Sequence, residues 1–393
     1  MRRKWPPNSV QLRKNNSTTR NGQAEGRGVE ILKKEAKYLQ LAALLREEIQ
    51  SGELAPGQKM SSENELTALY GFSRQTVRHA LALLEEEQLL ARRRGSGTYV
   101  CDNRQAALEN RTRIAVISTY VDSYIFPKTI QGIENDLFER GYSVQIAFTN
   151  NQLERERIVL EDIISRDDAA GIIMEATKSG LPNPNLPLIE KLMERGVPIL
   201  FMNSYYPQLP LPHVTLNDRL AAMRAVEYLV NAGHRRIGAL MKFDDGQGHL
   251  RYEGYLNACR KAAIPAGDQG TMWLDTEGEK NFSDYRAGIL RCFQDCTAVF
   301  CYNDKLAFLL EELFKEEGIR IPEDISLISI DDSELAKLAE TRLTSVRHPA
   351  DRLGAKAAEN LLAMLRNNSF DGTYEFDPEI VERDSVKRLS DKT

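Results

Sequence analysis

The chain has 393 residues, 42% of them hydrophobic, and a formal net charge of −5, which suits two or three ordinary globular domains. No apolar run reaches the roughly 20 residues that span a bilayer, and no signal peptide precedes the first charged segment, so no membrane partner is expected and the chain is read as cytoplasmic. The five cysteines (Cys101, Cys259, Cys292, Cys296 and Cys301) have neither metal-ligand spacing nor a disulfide framework, so free thiols, no metal and no cofactor are expected.

Residues 1–34 form a polar leader. Arg2, Arg3, Lys4, Arg13, Lys14, Arg20, Arg27, Lys33 and Lys34 face only Glu25 and Glu30. The segment has too little apolar surface to order itself; it is either an unstructured leader or a basic arm along nucleic-acid phosphates. From Lys37 to Gln50, Tyr38, Leu41, Ala42, Leu45 and Ile49 recur at helical spacing. Gly52 ends that helix and Pro56-Gly57 makes a turn. Ser62 caps a second helix that Gly71 stops, and Ser73 caps a third, with Val77, Ala80, Leu81 and Leu84 on its inner face. Leu89 to Val100 then reads as two short strands around Gly95-Ser96-Gly97, carrying Arg92-Arg93-Arg94.

Helix, turn, helix and basic hairpin make a winged helix-turn-helix over residues 35–102, an α+β unit whose last helix enters the major groove first turn leading. Because the whole chain is mildly acidic, DNA affinity must come from this local patch. Arg74 and Gln75 are the candidates for base edges, since both side chains pair bidentately with purines. Thr76, Arg78 and the Gly97 backbone suit phosphates. Ser62, Glu63, Ser73, Arg94 and Thr98 complete the expected DNA-binding set.

Residues 56–100 resemble the GntR-type DNA-binding domain. The resemblance rests on Pro56-Gly57, Ser62-Glu63, Glu65-Leu66, Ser73-Arg74-Gln75-Thr76-Val77-Arg78, Ala80-Leu81 and Gly95-x-Gly97-Thr98-Tyr99-Val100. Ser61 stands where that family usually has a proline before its capping serine.

Residues 103–112 are polar and read as a linker. From Arg113 strands and helices alternate. Strands are expected at 114–117, 144–148, 171–174, 198–202, 237–241, 272–274, 298–301 and 325–330. Helices are expected at 129–140, 154–165, 186–195, 219–232, 251–262, 283–294 and 305–317. Such alternation implies parallel sheets with ligands at the carboxyl ends of the strands, and two runs of it imply an effector domain, residues 113–393, of two doubly wound α/β lobes around a cleft.

The region from Arg113 to Arg366 resembles the LacI/GalR effector domain. Gln131-Gly132-Ile133-Glu134, Gly233-His234-Arg235-Arg236-Ile237-Gly238, Arg251-x-x-Gly254-Tyr255, Cys301-Tyr302-Asn303-Asp304, Ile328-Ser-Ile-Asp331-Asp332 and Leu343-Thr-Ser-Val346-x-x-Pro349 carry it. A GntR-type reader on such a sensor is typical of bacterial arabinose-utilisation repressors, and Tyr124-Ile-Phe126-Pro127-Lys128 and Glu175-Ala-Thr177-Lys178 also resemble that group. The resemblance implies a homodimer on a palindromic operator, released by a small sugar, L-arabinose or a related pentose. It further implies that Arg251, Asn303 and Asp331 hold ligand hydroxyls and that Asn203 faces the ligand.

Sugars need bidentate donors and acceptors with an aromatic surface. Strand ends supply Tyr124, Lys128, Glu175, Asn203, Arg251, Asp275, Asn303 and Asp331, with Tyr124 and Lys128 lining the cleft from the first lobe. His213, Asp218 and Gln247 are expected near its rim, His234 is read as structural, and Asp332 as a helix cap. Arg251→Ala is expected to lose sugar while staying folded. An enzyme is disfavoured because no nucleophile elbow, phosphate loop or metal cluster appears. A transport-type binding protein has no use for a reader domain. A regulator of the same build sensing another sugar or a purine stays open.

Overall fold

The computed structural model describes residues 37–101, 111–120, 124–267 and 270–389, apart from Gly52, Pro56, Gln88, Arg94 and Gly95. Two compact units emerge, one ending at Cys101 and the other starting at Asp102. The expected leader and all but the last two residues of the expected linker lie outside the described residues.

The first unit contains helices α1 (Lys37–Ser51), α2 (Glu63–Tyr70) and α3 (Arg74–Glu86) and the antiparallel strands β1 (Leu90–Arg93) and β2 (Gly97–Val100). Ser62 starts α2 through a reciprocal cap: its Oγ accepts from Glu65 N at 3.3 Å, and its own N donates to the Glu65 carboxylate at 2.7 Å. Gly71 closes the helix at φ 70°, a left-handed conformation that glycine adopts without strain. Leu41, Leu45, Leu66, Val77, Leu81, Leu84 and Val100 bury together as one core. The sequence suggested two strands; the structure adds a third segment, because Met60 N donates to Thr98 O at 2.8 Å and Val100 N to Gln58 O at 2.9 Å.

In the second unit the first lobe is built from β3 (Arg113–Ser118), α4 (Phe126–Phe138), β4 (Ser143–Phe148), α5 (Leu153–Arg166), β5 (Ala169–Met174), α6 (Leu186–Glu194), β6 (Ile199–Met202) and β7 (His213–Leu216). The second contains α7 (Asp218–Asn231), β8 (Ile237–Lys242), α8 (Gly246–Lys261), β9 (Thr271–Leu274), α9 (Thr276–Lys280), α10 (Arg286–Phe293), β10 (Ala298–Cys301), α11 (Asp304–Glu316), β11 (Ser326–Asp331), α12 (Glu334–Leu338) and β12 (Thr344–Arg347). The chain then returns. Helix α13 (Ala350–Arg366) and strand β13 (Tyr374–Phe376) complete the first lobe, and β14 (Glu379–Val381) closes the second.

The strand orders are β13-β7-β6-β5-β3-β4 and β14-β12-β11-β10-β8-β9, parallel throughout except for β14 against β12. This is the expected pair of doubly wound lobes, with a first lobe that is discontinuous in sequence. The returning helix α13 lies close on α4 because two glycines face it off reciprocally. A Cβ on Gly132 would come within 2.4 Å of Asp351 O, and one on Gly354 within 2.0 Å of Thr129 O. Among the described residues no helix is long and apolar enough to cross a membrane.

Candidate functional site

On the first unit, the Ser73 cap closes the start of α3, with Ser73 Oγ accepting from Thr76 N at 3.2 Å. That leaves Arg74 and Gln75 exposed on its leading turn. Thr76 is half-buried with its hydroxyl 2.9 Å from Ser73 Oγ, so it serves the cap. Glu63 accepts from Arg78 at 3.1 Å and lies 3.9 Å from Arg92. The Arg78 hydrogen bond holds its carboxyl below the ordinary range. Glu63 is thus placed to orient two cations of the reader. Gly97 has φ 122°, and a Cβ on it would come within 2.8 Å of Lys59 Cε. Thr98 is half-buried and its carbonyl carries the ladder to Met60. Arg93 lies 4.7 Å over the Tyr99 ring. Arg94 lies outside the described residues.

In the second unit, strand ends of both lobes converge on a narrow cleft of about 70 Å³. Arg251 forms its second-lobe floor. It sits one turn inside α8, which begins at Gly246 rather than at Arg251 as the sequence suggested. Its Nε donates to Asp218 Oδ1 at 2.7 Å and its Nη1 to Tyr302 O at 2.5 Å. Its Nη2 lies 3.8 Å from Asp331 Oδ1, and its guanidinium stacks 4.6 Å over the Tyr302 ring. The arginine is thus fixed on two sides and aimed by a third.

Asp331 ends β11 and accepts from Tyr124 of the first lobe at 2.5 Å. Burial pushes its carboxyl up, Arg251 draws it down and buried Asp304 pushes it up again, leaving it at about 7. Asp304 is itself satisfied by Ser329 and Ser345 hydroxyls at 2.6 Å and by Ser333 N at 2.7 Å. Asn303 lines the cleft while its Oδ1 caps α11 through Leu306 N at 2.9 Å.

Across the cleft Glu175 accepts from Thr119 N at 2.8 Å, from the Thr119 hydroxyl and from Asn203 Nδ2 at 3.2 Å. Burial nevertheless raises its carboxyl above the usual range. The Asn203 Oδ1 is buried with no partner among the described residues. Both Asn203 (φ 59°) and Asp331 (φ 122°) hold backbone conformations that non-glycine residues rarely adopt. Such strain costs on the order of 1–3 kcal/mol each and gathers where a ligand is gripped.

Lys242 closes the remaining wall, 2.9 Å from Asp245 and 3.7 Å from Glu279. Burial lowers the lysine, but the two carboxylates outweigh it and hold the ammonium well above its ordinary value. Burial likewise pushes Asp245 up, yet Lys242 with hydrogen bonds from Tyr302 and Asn151 holds it low. Glu279 also pairs with Lys305 at 2.6 Å. The lining therefore sets Glu175, Asp245, Glu279 and Asp331 against Lys242, Arg251 and Lys305. Four carboxyls thus stand against three cations, so the cleft is close to neutral.

Residues 37–100 match the bacterial regulatory proteins of the gntR family, and residues 226–386 match a periplasmic binding protein-like domain. The arabinose metabolism transcriptional repressor of Geobacillus stearothermophilus is 35% identical over 90% of this chain and 98% of its own length. Its counterpart from Halalkalibacterium halodurans is 35% identical over 90% and 97%. The chain belongs to this family of transcriptional repressors. In fold, transcription regulator CcpA of Lactococcus lactis matches with a TM-score of 0.62 at 23% identity, covering 71% of this chain and all of that one. The transcriptional regulator CelR–cellobiose complex matches with a TM-score of 0.62 at 20% identity, covering 83% and all of that chain. The family's members are DNA-binding regulators, not enzymes.

Of the residues expected at a repressor's effector cleft, the structure brings together Tyr124, Glu175, Asn203, Gln247, Arg251, Asn303 and Asp331. Lys128, expected to line it, does not; it is 62% exposed and 3.5 Å from Glu334. Asp275 caps α9, accepting from Gly278 N at 2.7 Å. His213 stacks on Tyr205 at 4.1 Å and lies 3.7 Å from Glu375. Burial lowers its pKa. Asp218 is no rim residue but the buried partner of Arg251. Asp332 is not a helix cap: it pairs with Arg383 and, at 3.1 Å, with Arg347, while Ser333 stands at the start of α12. His234 is structural, as expected, 3.0 Å from both Thr297 Oγ1 and Lys387 O. Sequence reasoning missed Thr119, Lys242, Asp245, Glu279, Tyr302 and Lys305. The signal available was Lys242-x-x-Asp245, charge at the end of an otherwise apolar strand.

Proposed function

We propose that this repressor binds a palindromic operator as a homodimer through Arg74, Gln75 and Arg78, and that L-arabinose in the interlobe cleft weakens that binding. The observation that carries the reading is the near-neutral ring of fixed donors and acceptors around Arg251, Asp331, Glu175 and the Asn203 Oδ1, which has no partner among the described residues. A neutral polyol satisfies such a ring without bringing a charge of its own. Kinship with arabinose metabolism repressors over nearly their whole length supports the choice of sugar.

One reader domain makes few base contacts, so two half-sites are needed for useful specificity. The sugar spans groups from both lobes. It shifts the reader spacing only by its differential affinity for two states, about 1–3 kcal/mol. Calorimetry of the full chain against L-arabinose, D-galactose, D-xylose, D-ribose and a purine identifies the effector, and gel shift on a palindromic operator fixes the sign. Binding of L-arabinose that leaves the operator complex unchanged or tightens it refutes the release mechanism. Binding of another compound in its place refutes the assignment of the sugar.

A further inference from the structure

A second chamber opens beside the cleft, between the loops after β5 and β6 on one lobe and the start of α8 on the other, with a volume of about 360 Å³. Asn203, Ser204 and Gln247 line both spaces, so the two are adjacent. We propose that this chamber takes a second neutral sugar ring, so that the repressor senses a glycosidically linked pair of rings as well as a single one. The inference rests on the reading of the main cleft as a monosaccharide site.

Three observations support it. The first is Asn203, 2% exposed, at the junction of the two spaces, with an Oδ1 that has no partner among the described residues. A buried acceptor left unmet is costly, and a hydroxyl at the junction gives it a partner.

The second is charge. The chamber's carboxylate, Asp218, is met by Arg251 at 2.7 Å, and His249 has its Nε2 2.8 Å from Phe243 O. Among the described lining residues no lysine or arginine faces the chamber, so a phosphate or carboxylate ligand finds no counter-charge there.

The third is the wall chemistry. Leu181, Tyr205 and Leu250 offer apolar surface while Gln208 and Ser179 offer hydrogen bonds, the pairing that a sugar's C–H face and hydroxyl edge require. Tyr205 is held flat against His213 at 4.1 Å. The far wall is pinned where Gly246 N donates to Ser179 Oγ at 2.9 Å. Pro207 and Gln208 are exposed at the outer side, so the chamber communicates with solvent.

The test is calorimetry on the full chain with L-arabinose and with the neutral disaccharides arabinobiose, xylobiose and cellobiose, in the wild type and in Leu250→Trp, which fills the chamber. Leu181→Trp, on the opposite lobe, replaces that variant if it shifts the melting transition. At least one disaccharide is expected to bind one per chain in competition with L-arabinose. The tryptophan variant is expected to weaken it at least tenfold while changing L-arabinose less than twofold. Two L-arabinose molecules per chain, one of them lost in the variant, also support the chamber and make the second ring a free one. L-arabinose binding at a single site with no disaccharide binding overturns the inference and leaves the proposed function standing. Equal weakening of both ligands overturns it too. A disaccharide that binds through Leu250 while L-arabinose does not bind removes the pentose assignment and keeps the chamber. If no sugar binds, both readings fall.

Discussion

Replacing Arg251 by alanine separates what one guanidinium does for the fold from what it does for a ligand. The side chain is 2% exposed, and so is its partner Asp218; Asp331 is 5% exposed. Without the arginine two buried carboxyls lose their counter-charge and Tyr302 O loses a donor. Removing one member of a buried pair costs about 3–5 kcal/mol, a large share of the roughly 5–15 kcal/mol that holds a domain together. The expectation from sequence that Arg251→Ala stays fully folded therefore gives way: the variant should melt well below the wild type. Loss of the ligand bond adds about 1.5–3 kcal/mol, roughly a tenfold to hundredfold loss of sugar affinity. The double variant Arg251→Gln with Asp218→Asn neutralises one of the two carboxyls, so it should regain part of the stability and none of the sugar binding. Urea unfolding followed by fluorescence gives the first quantity and calorimetry with L-arabinose the second. A single variant that loses less than about 1 kcal/mol refutes the packing argument. A double variant that binds sugar like the wild type refutes the role at the ligand.

Asp331 sits at about 7 in the folded chain against about 3.9 unfolded, so folding strengthens its hold on the proton. That stability is fully present below about pH 4 and is lost as pH rises through 7. Thermal melts from pH 5 to 8 should therefore fall more steeply for the wild type than for Asp331→Asn, and parallel curves would contradict this. Arg74→Ala should lose discrimination between operator and scrambled DNA by about 1–3 kcal/mol; equal weakening on both in a gel shift would make Arg74 a phosphate contact. Ser62→Ala removes the reciprocal cap of α2 and should cost the reader unit about 0.5–2 kcal/mol in melting experiments. Its sugar titration should be unchanged, and a variant as stable as the wild type would show the cap to be redundant.

The reader unit was almost wholly legible, because caps at Ser62 and Ser73, the Gly71 stop and the apolar spacing of α3 are local signals. The two-lobed sensor was legible from alternation, but its closure was not. Helix α13 and strand β13 return to the first lobe after the whole second lobe has been laid down, and no local pattern states which sheet a late strand joins. In the cleft, strand-end position picked out residues most of which line one space, but could not say which way each side chain turns. Asn303 both caps a helix and lines the cleft, whereas Asp275 only caps. Lys242 was passed over because a cation inside an apolar run becomes sensible only once Asp245 and Glu279 close around it.

The late return of α13 also governs the order in which a ribosome can finish this molecule. The reader emerges first, and everything it needs lies before Cys101. Strand β3 then waits for residue 350 and beyond before Leu353, Ala357, Ala358 and Leu361 can cover its lobe. At roughly 5–20 residues per second that delay is on the order of ten seconds or more. Throughout it, half of the sensor exposes its apolar face while the DNA-reading half is already complete. A nascent chain halted at residue 345 should therefore ignore sugar and take up a hydrophobic dye. One that responds to sugar would show that the first lobe closes without its borrowed helix.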